Sequence, residues 1–319
     1  MEIFFFSWTR VRKKTIIILG ENMKILCIGH ASYDTTIPMC GFLEENTKLR
    51  IDTKFECGGG PACNAAYLLG KWGVDTCFIG VVGNDKYGNY IKKELDEVGV
   101  DTRYMRILDG YETTSSIIFA NVESGTRTIV SYRPGEAEKM KMIDLDFEPD
   151  IILVDGHEFE LSKNMIEKYP EAISIMDAGR VTEDNLRLAS LIDYVVCSKE
   201  FAETVTNSEL NENTYEEVFK KMKETFTKNI VITVEDKGCL YEKENQVKVM
   251  PGIEVKTVDS TGAGDIFHGA FTYGISKNWN LEDILKFSNV TAGLSVTKIG
   301  SRNSIFSYDE IKKKYDELK

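Results

Sequence analysis

The sequence is poor in the residues and patterns that mark several common function classes. It has only three histidines, and its seven cysteines form no C-x-x-C pair, so no spaced metal-binding motif is present. No run approaches the ~18 apolar residues that a membrane span needs. Acidic residues outnumber basic ones, giving a net charge of −12, which argues against a nucleic-acid partner. There is also no G-x-x-x-x-G-K-[ST] run, which excludes a P-loop phosphate site.

The composition that remains is typical of a soluble globular protein. The chain has 319 residues, of which 42% are hydrophobic and 28% charged. That length allows two domains or one large α/β domain. The cysteines are scattered and odd in number, so we expect reduced, buried thiols and a cytoplasmic location. Among the histidines, His268 is expected to pack or to form hydrogen bonds.

The first 22 residues differ in pattern from the rest of the chain. Aromatic residues Phe4–Phe6 precede a basic run, Arg10–Lys14, and a short apolar run, Ile16–Leu19. A signal peptide has the reverse order and a longer apolar core. The first strand-like run begins at Met23. We therefore predict that residues 1–22 are a leader outside the fold and that translation starts at Met23.

From Lys24 onward, short apolar runs alternate with helix-like segments. This pattern predicts a mostly parallel sheet covered on both faces, with ligands at the carboxyl ends of the strands. The predicted helices include Asn64–Trp72 and Tyr87–Val98. The predicted strands are Lys24–Gly29, Thr76–Val82, Ile151–Val154, Ile173–Met176, Tyr194–Cys197 and Ile230–Val234.

Two regions interrupt this alternation. Residues 35–56 are long and mixed, and Ser115–Val122 and Thr126–Tyr132 flank a turn that predicts a β-hairpin. We predict a single domain over residues 23–319, with strands from about 35–56 and 113–132 forming a small β lid. An ordinary extension of the sheet edge is the alternative.

The most informative segment is Asp259–Asp265. It follows a strand-like run, Val255–Val258, and precedes a helix-like run with Ile266, Phe267, Ala270 and Phe271 on one face. A glycine-rich turn at a helix N-terminus favours an anion. Asp265 would repel that anion, unless its carboxylate takes a proton from an attacking hydroxyl. A solvent-facing loop is the simpler alternative.

A second glycine-rich segment lies early in the chain. Cys57–Gly60 precedes Asn64, whose amide offers donors and acceptors that suit a sugar hydroxyl. Asp34, just past the first strand, could accept two hydroxyl donors. The alternative is a tight turn in which Asn64 caps a helix.

Together, these segments resemble the ribokinase-like (pfkB-type) carbohydrate kinase family from Lys24 to about Tyr308. The early Gly-Gly-x-x-x-x-Asn element matches at Gly59, Gly60 and Asn64, and the late signature matches at Asp259–Phe267. The resemblance implies a three-layer α/β/α sandwich and an ATP-dependent sugar kinase.

The family's functional residues can be carried over position by position. The resemblance implies Asp265 as general base and the amides of Gly262, Ala263 and Gly264 as an anion hole. It also implies ATP with Mg2+. The other assignments are sugar contacts at Asp34, Gly59, Gly60 and Asn64, nucleotide contacts at Ser198, Thr233, Gly238 and Asn289, and a loop for a monovalent cation such as K+ at Asp259, Thr261, Gly300 and Ser304.

The chain departs from the family pattern in two places. An Asn-x-x-Glu motif near the metal is replaced by Ser198–Phe201, with Glu200 as a weak substitute ligand, and a nucleotide-side glycine is replaced by Glu235. Both departures, and the hairpin segment Thr126–Val130, resemble the ketohexokinase and sulfofructose kinase branch. This favours a ketose or a ketose derivative. Arg127 or Arg133 could meet an anionic group on such a substrate, or be solvated lid charges.

The predicted function is transfer of the γ-phosphoryl group of ATP to a sugar hydroxyl, and a primary hydroxyl is expected. A nucleoside kinase on the same fold is the nearest alternative, and a sugar-binding regulator without catalysis is a second. The lid strands could also pair across a homodimer, as they do in relatives.

Overall fold

A computed structural model describes residues 23–135 and 137–318 of the chain. The predicted leader, residues 1–22, lies outside the described residues. In the described part no helix is long and apolar enough to cross a membrane. The helices are α1 Pro61–Lys71, α2 Lys86–Glu97, α3 Phe159–Lys168, α4 Glu183–Ala189, α5 Lys199–Thr206, α6 Tyr215–Thr225, α7 Ala263–Ser276, α8 Leu281–Ser295 and α9 Tyr308–Glu317.

The central sheet has eight strands and is mostly parallel. Six strands run parallel, and at one edge a seventh strand runs antiparallel to them and forms an antiparallel pair with the eighth. Its order is β14-β13-β12-β11-β10-β9-β1-β4. The strands are β1 Ile25–Ile28, β4 Thr76–Ile79, β9 Ile151–Val154, β10 Ile173–Ala178, β11 Tyr194–Ser198, β12 Asn229–Thr233, β13 Cys239–Lys243 and β14 Gln246–Met250.

Helices cover both faces of this sheet. In β1, Ile25 and Cys27 enter one core with α1, α7 and α8, whereas Leu26 and Ile28 enter the other with α3 to α6. Both cores are apolar because central parallel strands are buried on their two faces. Each fully buried aliphatic side chain contributes about 1.5–3 kcal/mol. The predicted three-layer α/β/α fold is confirmed.

A second, four-stranded sheet lies outside the main one. Its order is β3-β2-β7-β8, with β2 and β7 parallel and the other pairs antiparallel. The predicted hairpin is confirmed, and all seven residues of β8 are exposed. We call this sheet the lid sheet. Its strands are β2 Ser32–Met39, β3 Phe55–Gly59, β7 Ser115–Asn121 and β8 Thr126–Tyr132.

Two predicted strands differ in the structure. The predicted strand Thr76–Val82 breaks at Gly80, after which β5 Val81–Gly83 pairs with β6 Arg106–Leu108 in a separate small sheet. A Cβ at residue 80 would lie 2.6 Å from the Gly29 carbonyl oxygen, so the chain leaves the main sheet where only glycine fits. The predicted strand Val255–Val258 is irregular, although it does precede the turn.

The glycine-rich segment does not form the tight turn of the alternative interpretation. Cys57–Gly59 form the end of β3 and not a turn. Helix α1 begins at Pro61, a residue suited to a first helical position because its missing N–H would have no partner there. Asn64 therefore lies inside the first turn of α1, buried, and does not cap the helix.

Candidate active site

Helix α7 begins at the turn that the sequence singles out. Gly262 precedes the helix in the left-handed region, with φ 77°. A Cβ there would lie 2.7 Å from the Ser301 Cβ, so both conformation and space require glycine. Asp265 is the third helical residue. The helix is buried almost all round, from Ile266 to Ser276, which fixes its N-terminus against the sheet.

Asp265 lies close to the early glycine segment. The Asn64 side-chain amide donates a hydrogen bond of 2.7 Å to Asp265 Oδ2. Removal from water, and then the neighbouring Asp177 carboxylate, raise the pKa of Asp265 to about 7, whereas the Asn64 hydrogen bond acts in the opposite direction. A carboxyl group with such a pKa can exchange its proton near neutral pH.

Asp34 occupies the same region from the lid sheet. It lies within β2, the strand that follows β1 in the chain, and is 7% exposed. Ser32 Oγ donates to its Oδ1 at 3.0 Å. Burial raises the pKa of Asp34, and the hydrogen bond from Ser32 and the charge of Arg302 oppose that rise. A Cβ at Gly59 would overlap the Asp34 carboxylate, so glycine permits this close approach.

The next glycine serves a different need. Gly60 has φ 97°, and a Cβ there would overlap the His30 carbonyl oxygen after β1. The structure thus brings five predicted residues together at the carboxyl end of the main sheet. We call them the acceptor-side group: Asp34, Gly59, Gly60, Asn64 and Asp265.

The four predicted nucleotide contacts form two neighbouring pairs. Ser198 and Thr233 are register partners at the ends of β11 and β12. Gly238 lies against the Met250 carbonyl oxygen, which also accepts a 2.9 Å hydrogen bond from the Asn289 side chain. We call Ser198, Thr233, Gly238 and Asn289 the nucleotide-side group.

The two departures from the family pattern have visible structural consequences. Ser198 Oγ accepts a hydrogen bond from the Phe201 amide and so caps α5, while Glu200 is exposed. Glu235 adopts φ 54°, which is a conformation that glycine adopts freely. The backbone therefore keeps a glycine-like shape where the glycine is absent. A pocket of about 390 Å³ opens beside this turn, lined by Lys199, Leu210–Asn213, Tyr215 and Val234–Lys237.

Of the predicted monovalent-cation residues, Thr261 and Gly300 contact the buried Asp259 carboxylate, whereas Ser304 hydrogen-bonds to the carbonyl oxygens of Gly300 and Ser301. Asp259 is 1% exposed, and its Oδ1 accepts from both the amide and the hydroxyl of Thr261. Its Oδ2 accepts from the Gly300 amide at 2.9 Å. Among the residues that the structure describes, no basic side chain comes within 4.0 Å of this carboxylate. A buried negative charge without a neighbouring cation suits a bound positive ion.

Three further groups around the site were not predicted. Arg302 Nε donates to Asn64 Oδ1 at 3.1 Å. Asp177 lies 3.1 Å from His268 Nδ1. Asp155 accepts from the amides of His30, Ala62 and His157, joining β1, β9 and α1. Burial alone would raise the pKa of Asp155, but His157 and these amides lower it to about 2.

His268 forms hydrogen bonds, as the sequence predicts. Its Nδ1 lies 2.7 Å from the Gly264 carbonyl oxygen, and its Nε2 lies 3.0 Å from that of Val196 in β11. The ring thereby ties the start of α7 to the main sheet. Because Gly264 belongs to the predicted anion hole, this contact fixes the position of those amides.

No group of three or more acidic, histidine or cysteine side chains in residues 23–135 and 137–318 is arranged to hold a metal ion. Mg2+ in phosphoryl-transfer sites often keeps several waters and binds mainly through substrate phosphates. The absence of a protein cage is compatible with such an ion.

Comparison with known proteins identifies the family. The family model described as "pfkB family carbohydrate kinase" matches residues 22–307. The chain belongs to this family. A ribokinase of Staphylococcus aureus is 24% identical over 299 residues, covering 90% of this chain and 98% of its own.

Solved structures show the same fold. A ribokinase of Thermotoga maritima superimposes with a TM-score of 0.76 at 24% identity, covering 93% of this chain and 100% of its own. An Arabidopsis thaliana ribokinase, solved with ribose and ATP, gives 0.78 at 20% identity, with 92% and 98% covered. At these identities the structures demonstrate the shared fold. In this pfkB family member, α9 begins just after the matched span.

Proposed function

We propose that the protein transfers the γ-phosphoryl group of ATP to a primary hydroxyl of a sugar, with Asp265 as the general base. The observation that carries this proposal is the partly buried hydrogen bond between Asn64 and Asp265 at the start of α7. It pairs a carboxyl group of pKa about 7 with a side chain that can hold the substrate hydroxyl.

The acceptor-side group supplies the sugar contacts in this proposal. The Asp34 carboxylate accepts hydrogen bonds from sugar hydroxyls, and the close approach at Gly59 and Gly60 lets the backbone reach the ring. The attacking hydroxyl lies beside the hydrogen-bonded pair of Asn64 and Asp265. Asp265 takes its proton as the oxygen attacks phosphorus.

The start of α7 stabilises the transferred phosphoryl group. The amides of Gly262, Ala263 and Gly264 lie at a helix N-terminus, where donors and the helix dipole favour negative charge. Loss of one oxyanion-type donor typically costs about 10²–10³-fold in rate. The lid sheet excludes water from this region during the reaction, which strengthens such contacts.

The nucleotide-side group receives ATP. These residues lie at the edge of the main sheet beside the turn at Glu235. In this turn the main chain keeps a glycine-like conformation. Mg2+ bound with ATP would offset the negative charge of the phosphates. Asp259, Thr261, Gly300 and Ser304 would hold a monovalent cation such as K+, next to the buried Asp259 carboxylate.

Ribose is the first substrate to test. The Staphylococcus aureus relative, which matches 90% of the chain, is a ribokinase, and the Arabidopsis thaliana ribokinase was solved with ribose and ATP. The resemblance of the hairpin to ketohexokinases keeps a ketose as the second choice.

The exposed strand β8, with Ile129, Val130 and Tyr132 at its surface, offers an edge for pairing in a homodimer.

The test is an assay of ATP-dependent phosphorylation with ribose, fructose and adenosine, in the presence of Mg2+. We expect turnover with a sugar and little with adenosine. Phosphorylation of adenosine alone would favour a nucleoside kinase. Sugar binding without any turnover would favour a non-catalytic regulator. Product analysis by NMR would show which hydroxyl carries the phosphate.

A further inference from the structure

Arg302 is a buried arginine next to the site. It is 2% exposed and comes shortly after the Gly300 turn. Its guanidinium has four contacts on the acceptor side of the fold. Nε donates to Asn64 Oδ1 at 3.1 Å, one terminal nitrogen lies 2.7 Å from Glu94, the other lies 2.9 Å from Cys63 Sγ, and the group stacks 5.0 Å from the Tyr67 ring centre.

The chemistry of these groups fixes the orientation of the Asn64 amide. An arginine side chain has donors only, so the Asn64 atom facing it must be the oxygen. The amide nitrogen then necessarily faces Asp265 Oδ2, at 2.7 Å. The other orientation would place an N–H against the guanidinium and an oxygen against a carboxylate. Both contacts would be unfavourable in a buried site.

We propose that Arg302 is a positioning residue that holds the Asn64 amide so that Asn64 acts only as a donor, toward Asp265 and toward the substrate hydroxyl. This inference rests on the proposed role of Asp265 as the base. One N–H of Asn64 binds Asp265, and the second remains for the oxygen of the attacking hydroxyl. The hydroxyl then has one direction left for its own proton, toward Asp265.

The surroundings of Arg302 are built around its guanidinium. Glu94 balances the charge and also accepts a 2.6 Å hydrogen bond from the Gly58 amide. A Cβ at Gly58 would overlap the Arg302 guanidinium, so the first glycine of the segment makes room for this side chain. Gly58 has no part in the family motif at Gly59, Gly60 and Asn64. Its glycine is explained by Arg302.

The inference predicts a change in pH dependence. Besides Asn64, the groups that act on Asp265 are Asp177 from β10, His268 from α7 and Asp34 from β2. The Asn64 hydrogen bond and His268 favour the ionised, proton-accepting form of Asp265, whereas Asp177 and Asp34 oppose it. Without Arg302 the Asn64 amide can rotate and present its oxygen, and the ionised form loses that donor.

The experiment measures kcat/KM for the sugar as a function of pH in Arg302→Met. We expect the acidic limb of the kcat/KM profile to move upward by about one pH unit. A shift of this size corresponds to the loss of one hydrogen bond to the ionised form of Asp265. Arg302→Lys, which keeps a donor, should restore part of the shift. Arg103→Met is the matched control, because Arg103 forms exposed ion pairs with Asp101 and Asp146. Its limb should not move.

A double-mutant cycle separates positioning from the direct effect of the arginine charge. Asn64→Leu alone should move the limb by a similar amount. If Arg302 acts through Asn64, adding Arg302→Met should give no further shift. Additive shifts, or an unchanged limb in Arg302→Met, would overturn the inference. If Arg302→Met does not fold, Glu94→Gln/Arg302→Met removes both buried charges and gives the same readout.

Failure of the proposed function has a different result. If Asp265→Asn keeps substantial turnover, Asp265 is not the base and the acidic limb belongs to another group. If Asp265→Asn is inactive but the acidic limb of the pH profile does not change in Arg302→Met, only the positioning role is wrong.

Discussion

The acceptor-side and nucleotide-side groups are built in opposite ways. On the acceptor side, side chains bind one another, as in the series Glu94, Arg302, Asn64 and Asp265. On the nucleotide side, they bind the main chain. Thr233 donates to the Cys197 carbonyl oxygen, and Asn289 donates to those of Met250 and Pro251.

This difference explains where the chain tolerates departures from its family. Changes in a network of side chains remove partners that nothing else replaces. A region defined by main-chain shape can change side chains as long as the shape remains. Glu235 replaces a glycine and keeps φ at 54°, and Ser198 replaces an asparagine while capping α5. We therefore expect acceptor-side substitutions to have larger effects than nucleotide-side ones.

The largest expected effect is that of Asp265→Asn. Removing a positioned general base should lower kcat by about 10²–10⁴-fold. Sugar affinity should stay within a few-fold, because asparagine can still hydrogen-bond. Initial rates with ATP and isothermal titration with sugar would measure the two. Asp309→Asn, an exposed carboxylate at the start of α9, is the control. Comparable rates in the two variants would contradict the assignment.

Asp34→Asn should come next, with its effect mainly on KM. Hydrogen bonds to a charged acceptor contribute about 1.5–3 kcal/mol, so KM for the sugar should rise by roughly 10- to 100-fold. Asp52→Asn changes an exposed carboxylate between β2 and β3 and should leave KM unaltered. A fall in kcat at constant KM would show that Asp34 acts on the reaction step instead.

A third prediction concerns stability and pH. The pKa of Asp265 is raised from 3.8 to about 7 in the folded protein, so the folded state binds this proton more tightly than the unfolded state. The free energy of unfolding should therefore decrease as pH rises through that interval. Asp265→Asn does not titrate and so does not lose stability in this way. The difference in melting temperature, variant minus unmodified protein, should be more positive at pH 8 than at pH 5. An equal difference at the two pH values would contradict the shifted pKa.

The smallest expected effect is on the nucleotide side. Glu235→Gly relieves a left-handed conformation that costs a side-chain-bearing residue roughly 1–2 kcal/mol, partly offset by the greater freedom of glycine when unfolded. We expect a net gain in stability of about 0.5–1 kcal/mol and an ATP KM within a few-fold. Asp236→Gly, at the neighbouring exposed position, should destabilise. Chemical denaturation would compare the unfolding free energies of the two variants. A large rise in the KM for ATP in Glu235→Gly would show that Glu235 itself contacts the nucleotide.

Local patterns in the sequence were sufficient to predict the main sheet. Buried parallel strands such as Ile151–Val154 are continuous apolar runs, and β7 and β8 alternate around a short turn. The pattern failed where a single residue redirected the chain, as at Gly80. It also failed at Val255–Val258, since β-branched residues favour an extended chain whether or not a neighbouring strand is there to pair with it.

From the sequence, the candidate site could be predicted only where its residues belong to recognisable motifs. Gly59, Gly60, Asn64 and Asp265 belong to recognisable segments, and the structure brings them together. Arg302 lies 238 positions from Asn64, and no local pattern links the two. The one available signal was a large charged residue within a run of small polar residues from Gly300 to Ser304. Asp155 follows β9 and Asp177 lies near the end of β10, but no local pattern indicates that either meets the other site residues.

The contact of Arg302 with Asn64 also has a consequence for protein synthesis. The ribosome produces the glycine segment early, yet Asp265 and Arg302 come 201 and 238 residues after Asn64. The residues of the proposed sugar site can therefore come together only when synthesis is nearly complete. Under the proposed assignment, a prematurely terminated chain that lacks Asp265 and Arg302 would have no general base and could not phosphorylate a sugar.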